Sequence, residues 1–224
     1  MTIMWVYVFI SRRQLIMPSA DLYIEKIDFQ RYLSQTDCLQ CGYPSCEAFI
    51  EAIKAGSTKP SDCAFISRNK AYAFEAIEKI KALWPDVPLL THPRPGFTGL
   101  IELNSPGPDS LVLVSGNNEY TEQVLMTVLG TTICPFFVIF IDTDGNTVDM
   151  SMIYQTLTAQ RVSESIQSTS IEEKVTVREL MLPGLASSLK GDIERLTGWN
   201  VRVGPVCAAE LPLFLSEIWI EPGK

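Results

Sequence analysis

An α/β protein is predicted, in which a small helical module carrying four cysteines precedes a doubly wound sheet domain. Three observations predict it. Four of the six cysteines are crowded into residues 38–63, a proline-rich stretch follows them, and from Phe97 onward short apolar runs of strand length alternate with longer runs of helix length. With 224 residues, 46% hydrophobic and 20% charged, the chain can bury a substantial core, which excludes disordered and fibrous classes. Its net charge of −8 argues against nonspecific nucleic-acid binding, which needs a basic face to displace counterions. The charge is unevenly placed: residues 1–96 hold 11 basic and 10 acidic side chains, residues 97–224 hold 7 and 16.

Residues 1–18 are expected to form a tail. The apolar run Met1–Ile10 is far shorter than the roughly 20 residues a membrane-crossing helix needs. Arg12 and Arg13 follow it, whereas a secretory signal places its basic residues first. Met17 would serve equally well as a beginning. A reducing, cytoplasmic compartment and no membrane association are therefore expected, and clustered cysteines are then read as metal ligands before disulfides.

Residues 19–84 are expected to be the cysteine module. Cys38, Cys41, Cys46 and Cys63 are spaced C-x2-C-x4-C-x16-C, three of them in one loop. Zinc usually takes two knuckles of paired cysteines. One tight loop with a fourth cysteine after a helix-length spacer better suits a [4Fe-4S] cluster, and Gly42 and Pro44 let the backbone curl towards the sulfurs. Zinc and disulfides stay as the other readings. Phe49, Ile50 and Ile53 at helical spacing predict a helix from Cys46 to a stop at Gly56; Ala71, Phe74, Ile77 and Ile80 predict a second over residues 69–84.

Residues 85–97 hold four prolines and are expected to be an extended linker. The single histidine, His92, lies there and is read as solvated.

Residues 98–224 are expected to form the α/β domain. Apolar runs at 99–103 and 111–114, joined by a Pro-Gly turn, suggest a hairpin or an edge addition. Val124, Leu125, Val128 and Leu129 mark a helix, and the unbroken run Phe136–Ile141 suits a strand buried on both faces. Helix is expected over 148–168, strand over 175–182, helix over 185–196, strand over 199–203 and a closing helix over 211–219. Such alternation implies a Rossmann-like domain with a mainly parallel sheet, which docks ligands at the carboxyl ends of its strands. Those ends are small and polar: Ser115–Asn118, Asp142–Thr147, Pro183-Gly184 and Gly204-Pro205. Small residues there let backbone amides approach a flat or phosphate-bearing ligand, although tight turns select them anyway.

These residues resemble a known family, the large (gamma) subunit of the corrinoid iron–sulfur protein, at both ends of that subunit. The resemblance rests on the four-cysteine spacing, the Cys-Gly-x-Pro-x-Cys loop of Cys41–Cys46, and Ala48, Phe49, Ala55 and Gly56 in the helix after it. In the second part it rests on Val112–Asn117 with Thr121, Ile141–Val148, Leu182–Gly184, and Gly198 through Pro205 to Pro212. The resemblance implies a [4Fe-4S] cluster on the four cysteines and a corrinoid (cobalamin) contacted by Ser115, Thr121, Gly145, Asn146, Thr147, Val148 and Ala208. It implies cobalt without its lower base or a histidine ligand, a methyl-carrier function, and a cluster that returns Co(II) to Co(I). A module swinging on the linker would serve both duties. The family's barrel between the two modules is missing, so a TIM-barrel subunit or methyltransferase is an expected partner, with a reductive activator protein beside it.

Two other functions compete. Asp142-Thr-Asp144 after an apolar strand looks like the first motif of haloacid-dehalogenase-type phosphatases, and a ferredoxin-like electron donor would need only the cluster. A calcium-loop reading of the same acids fails on the position of Gly145. Cys134 and Cys207 are read as packing thiols, with a role for Cys207 beside the cobalt as the alternative.

Overall fold

The computed structural model describes residues 22–34, 37–88 and 93–223. The expected tail and His92 lie outside them.

Helix α1 (Cys46–Lys54) starts where the Ser45 hydroxyl accepts the Ala48 amide at 3.1 Å, and α2 (Arg68–Ala82) where the Ser67 hydroxyl accepts that of Lys70 at 3.2 Å. Five strands follow: β1 (Gly99–Leu103), β2 (Leu111–Gly116), β3 (Phe136–Ile141), β4 (Glu179–Leu182) and β5 (Asn200–Val203). They lie in the order β1-β3-β2-β4-β5, all neighbours parallel except β1 with β3. From β2 the chain passes through α3 (Glu119–Leu129) to β3. It then passes through α4 (Val148–Ile153) and α5 (Ala159–Ser168) to β4, on the other side of β2. α6 (Lys190–Thr197) leads to β5, and the short α7 (Leu211–Phe214) closes the fold. The strand order therefore reverses direction at β2, which opens a crevice at the carboxyl ends of β2 and β4.

The wholly buried β3 shows why the sheet is covered on both sides. Phe136, Val138 and Phe140 join a core with residues of α2, α3 and α7, whereas Phe137, Ile139 and Ile141 join one with α5 and α6. The 99–103 run is an edge addition and not a hairpin: both edges of β2 are taken by parallel partners, so β1 pairs with the free edge of β3, Gly99 opposite Phe140 and Leu103 opposite Phe136.

Other boundaries differ from expectation for local reasons. The 148–168 helix is broken, because the Ser151 carbonyl takes the amides of Thr156 and Leu157 and the Thr158 hydroxyl starts α5 afresh. The 175–182 strand is shortened to β4 because Thr176 donates to the Pro108 carbonyl at 2.8 Å instead. The 185–196 helix opens as a 3-10 turn, Gly184–Leu189. The closing helix ends at Phe214, after which Ile220 pairs with Ile133 and Thr132.

The cysteine module does not stand apart. Ala73, Ala76, Ile77 and Ile80 of α2 are wholly buried in the same core as Phe136 and Trp219. The Tyr72 hydroxyl donates to the Thr131 carbonyl, and Asn69 donates to the Glu217 carbonyl at 3.1 Å. The end of the proline-rich stretch is also tied down: Arg94 donates to the Gly145 carbonyl at 2.8 Å, Glu119 donates to that of Arg94 at 3.0 Å, and Pro95 bridges to Asn118. The structure thus differs from the expected swinging module, because α2 can bury its apolar face only by joining the helix layer beside α3. No helix among the described residues is long and apolar enough to cross a membrane.

Ile80→Ala leaves a cavity in this shared core and is expected to cost about 2–5 kcal/mol. Urea unfolding followed by tryptophan fluorescence should keep one transition and move it to lower urea. Two separated transitions would show that module and sheet unfold independently.

Candidate functional site

Cys38, Cys41, Cys46 and Cys63, each half-buried, line one cavity of about 260 Å³. Among the described residues no three His, Cys, Asp or Glu side chains converge closely enough to hold a single metal ion. The loop that spreads them is left-handed at Asp37 (φ 42°), Leu39 (60°) and Gly42 (80°), and Gly42 is the residue type suited to that region. Its closure is a side-chain bond: Asp37 Oδ1 accepts the Cys46 amide at 2.7 Å, just as α1 begins. Cys63 is placed by a turn in which Asp62 accepts from the Lys59 amide at 2.9 Å and the Thr58 hydroxyl at 2.8 Å. Those bonds hold the Asp62 carboxyl below its ordinary range, the Lys59 amide contributing most.

A second cavity, about 300 Å³, opens at the crevice. Ser115 is the penultimate residue of β2, Thr121 lies in the first turn of α3, Thr147 and Val148 start α4, and Ala208 opens the 3-10 turn Ala208–Glu210; all five line it. Gly145 and Asn146 do not line it. They form the turn beside it, where Gly145 (φ 73°) lets Arg94 and Pro95 cross so closely that a Cβ would strike the Pro95 nitrogen. Sequence pattern does not reveal the lining residues that arrive from far along the chain, Leu22, Tyr23, Trp84, Val87 and Pro88, because they carry no motif. Met150, Met181 and Leu211 complete a wall that is mainly apolar.

Two adjacent amides organise the rim. Buried Asn117 accepts at Oδ1 from the Thr143 amide (2.9 Å), the Gly145 amide (3.1 Å) and the Thr143 hydroxyl (3.0 Å), and donates to Thr98 (2.9 Å) and Asp142 (3.3 Å). Asn118, fully buried, accepts from the amides of Tyr120 and Thr121 to start α3 and donates to the Gly145 carbonyl at 2.7 Å. The acid pair is committed to this turn: Asp142 Oδ1 accepts from Asn117 and from the Asp144 amide, and Asp144 lies 3.2 Å from Arg161. Neither acid lines the cleft.

Cys134 is buried at the start of the sheet core, and burial pushes its thiol up, which keeps it protonated and inert. Cys207 lines the cleft and donates to the Leu22 carbonyl at 3.0 Å.

Four thiols line one cavity, and they are packed against a doubly wound α/β domain with a mainly apolar cleft at its reversal point. Residues 86–215, more than half of the chain, match the family described as CO dehydrogenase/acetyl-CoA synthase delta subunit, and the chain belongs to it. Residues 33–65 match the family described as "Putative Fe-S cluster". Among curated relatives, the acetyl-CoA decarbonylase/synthase complex subunit gamma of Methanopyrus kandleri is 35% identical over 144 residues, covering 60% of this chain and 31% of its own. The corrinoid/iron-sulfur protein large subunit of Moorella thermoacetica is 28% identical over 130 residues, 58% of this chain and 28% of its own. The complex's subunit gamma 2 from Methanosarcina thermophila is 27% identical over 199 residues, 80% of this chain and 42% of its own. The chain thus spans less than half the length of these relatives.

Two expectations follow from the geometry. Asp37→Ala removes the bond that closes the cysteine loop, and metal retention after anaerobic reconstitution and desalting should weaken by about ten-fold, as for loss of a ligand-orienting partner. Gly184→Ala would put a Cβ 2.7 Å from the Val206 amide nitrogen and 2.8 Å from the Pro205 carbonyl carbon. It should cost about 1–3 kcal/mol in denaturant titration, since backbone must move at the cleft.

Proposed function

We propose that the chain is a corrinoid-binding and iron–sulfur-binding component that carries methyl groups in cobalt-dependent methyl transfer. The observation that carries this reading is the cleft: Ser115, Thr121, Thr147, Val148 and Ala208 converge on one mainly apolar crevice, in the same folded body as the four-thiol cavity. The names of the relatives support it, one being a corrinoid/iron-sulfur protein and others subunits of a decarbonylase/synthase complex. When bound, a corrinoid supplies a cobalt that accepts and releases methyl groups, and a [4Fe-4S] cluster supplies electrons that keep that cobalt reduced.

The residues divide the work between residues 19–84 and 98–224. Cys38, Cys41, Cys46 and Cys63 hold the cluster, in a reducing, cytoplasmic setting that keeps thiols unpaired. The Ser115 and Thr121 hydroxyls offer hydrogen bonds to the polar periphery of the macrocycle. Thr147 and Val148, steadied by the Gly145-Asn146 turn, hold its edge, and Ala208 is small enough for a flat ring to lie close. A TIM-barrel subunit or methyltransferase would cover the open ring face, and an activator protein would deliver electrons. The phosphatase reading is disfavoured because Asp142 and Asp144 are engaged with Asn117 and Arg161, away from the cleft.

Protein produced anaerobically, reconstituted with iron and sulfide and offered hydroxocobalamin, should leave a sizing column with about four irons per chain and a corrin spectrum. Its Co(II) electron paramagnetic resonance should lack nitrogen splitting. Ala208→Trp should lose cobalt and keep iron; Cys63→Ala should lose iron. A cobalt-free eluate from the unaltered protein overturns the reading.

A further inference from the structure

One strap of chain, residues 22–33, runs from the cleft to the four-thiol cavity. Leu22 and Tyr23 line the cleft, and Arg31, Tyr32 and Leu33 line the thiol cavity. Between them Ile27 and Phe29 are buried in the common core, so the strap is held along its length. Both of its ends are tied to a single turn of the sheet domain. At one end the Cys207 thiol donates to the Leu22 carbonyl at 3.0 Å. At the other the Tyr32 hydroxyl donates to Glu210 Oε1 at 2.6 Å, with the Arg31 guanidinium 3.4 Å from the same oxygen. Cys207 and Ala208, at the start of that turn, line the cleft, whereas Glu210 at its end lines neither cavity.

A carboxylate that is 7% exposed is costly to bury unless it is paired, so Glu210 holds Tyr32 and Arg31 firmly. The carboxylate and burial together raise the Tyr32 hydroxyl far above its ordinary range, burial contributing most, which keeps it a donor. Packed cores pass on displacement instead of absorbing it. The contacts therefore run unbroken from the wall of the thiol cavity at Tyr32 to the 207–210 turn and to Leu22, both of which border the cleft.

We propose that Glu210 is a positioning residue that couples the two cavities through this strap: filling the four-thiol cavity sets the Leu22–Tyr23 and Cys207–Ala208 walls of the cleft and tightens its hold on the macrocycle. Linkage makes the effect reciprocal. The cluster in the thiol cavity and the ligand of the cleft both rest on the proposed function; the link between the two cavities through the strap needs only the first of them.

Two measurements on the full chain separate these points. Hydrogen exchange compares cluster-loaded with cluster-free protein without any corrinoid. Loading should slow exchange at residues 22–23 and 207–211 as well as around the cysteines. In Glu210→Ala and in Tyr32→Phe that distant protection should vanish while iron content is kept. Hydroxocobalamin titration followed by absorbance should then give at least about five-fold tighter binding to the loaded form, a difference lost in Glu210→Ala and partly kept in Glu210→Gln. Distant protection that is missing in the unaltered protein, or that persists in both variants, overturns the coupling. Binding of equal strength to loaded and cluster-free protein overturns it as well. Protection without any cobalamin binding upholds the coupling and removes the corrinoid reading instead.

Discussion

Burial of α2 in the core of the sheet domain governs the whole arrangement. A doubly wound sheet needs helices on both faces, and on one face α3 and α7 do not suffice. Helix α2, supplied by the cysteine module, completes the layer with Ala73, Ala76, Ile77 and Ile80 wholly buried. That one packing choice fixes where the four thiols lie, because the α1 loop, the Cys63 turn and α2 follow one another within a few residues. It also draws Trp84, Val87 and Pro88 to the mouth of the cleft, so the module builds part of the second site.

The cleft itself follows from strand order. Placing β3 on one side of β2 and β4 on the other sends the connecting chains to opposite faces and leaves a crevice between them. The rim of that crevice must be held in shape. Asn117 and Asn118 do this with a buried network in which each amide has several partners. Such a network is valuable when complete and expensive when broken. It also explains the small residues of the 142–147 turn: Gly145 gives way to the crossing chain at Pro95, and Asp142 and Asp144 serve the turn. Residue types that suggest catalysis in isolation are there for geometry.

The two cavities differ in what they ask of the chain. The thiol cavity brings together four cysteines at set spacing, and its geometry is local: a left-handed loop, a carboxylate closing it at Cys46, and a turn presenting Cys63. The cleft needs a broad apolar wall, which no local segment can supply, and it is assembled from segments separated by most of the chain. Tyr32 and Glu210, 178 residues apart, join the wall of the first site to the turn that borders the second.

The family resemblance singled out Ser115, Thr121, Thr147, Val148 and Ala208; local pattern by itself was enough to establish the class of the fold, the four cysteines and the small polar turns that end the strands. These are matters of spacing and periodicity, which depend only on neighbours along the chain. Only the closed fold settles that β1 pairs with β3, that α2 joins the sheet's core, that Gly145 and Asn146 support the cleft from outside it, and that Glu210 meets Tyr32. Each of those outcomes turns on which surfaces are left uncovered once the chain has folded back on itself, and closure over such distances leaves no mark in the order of neighbouring residues.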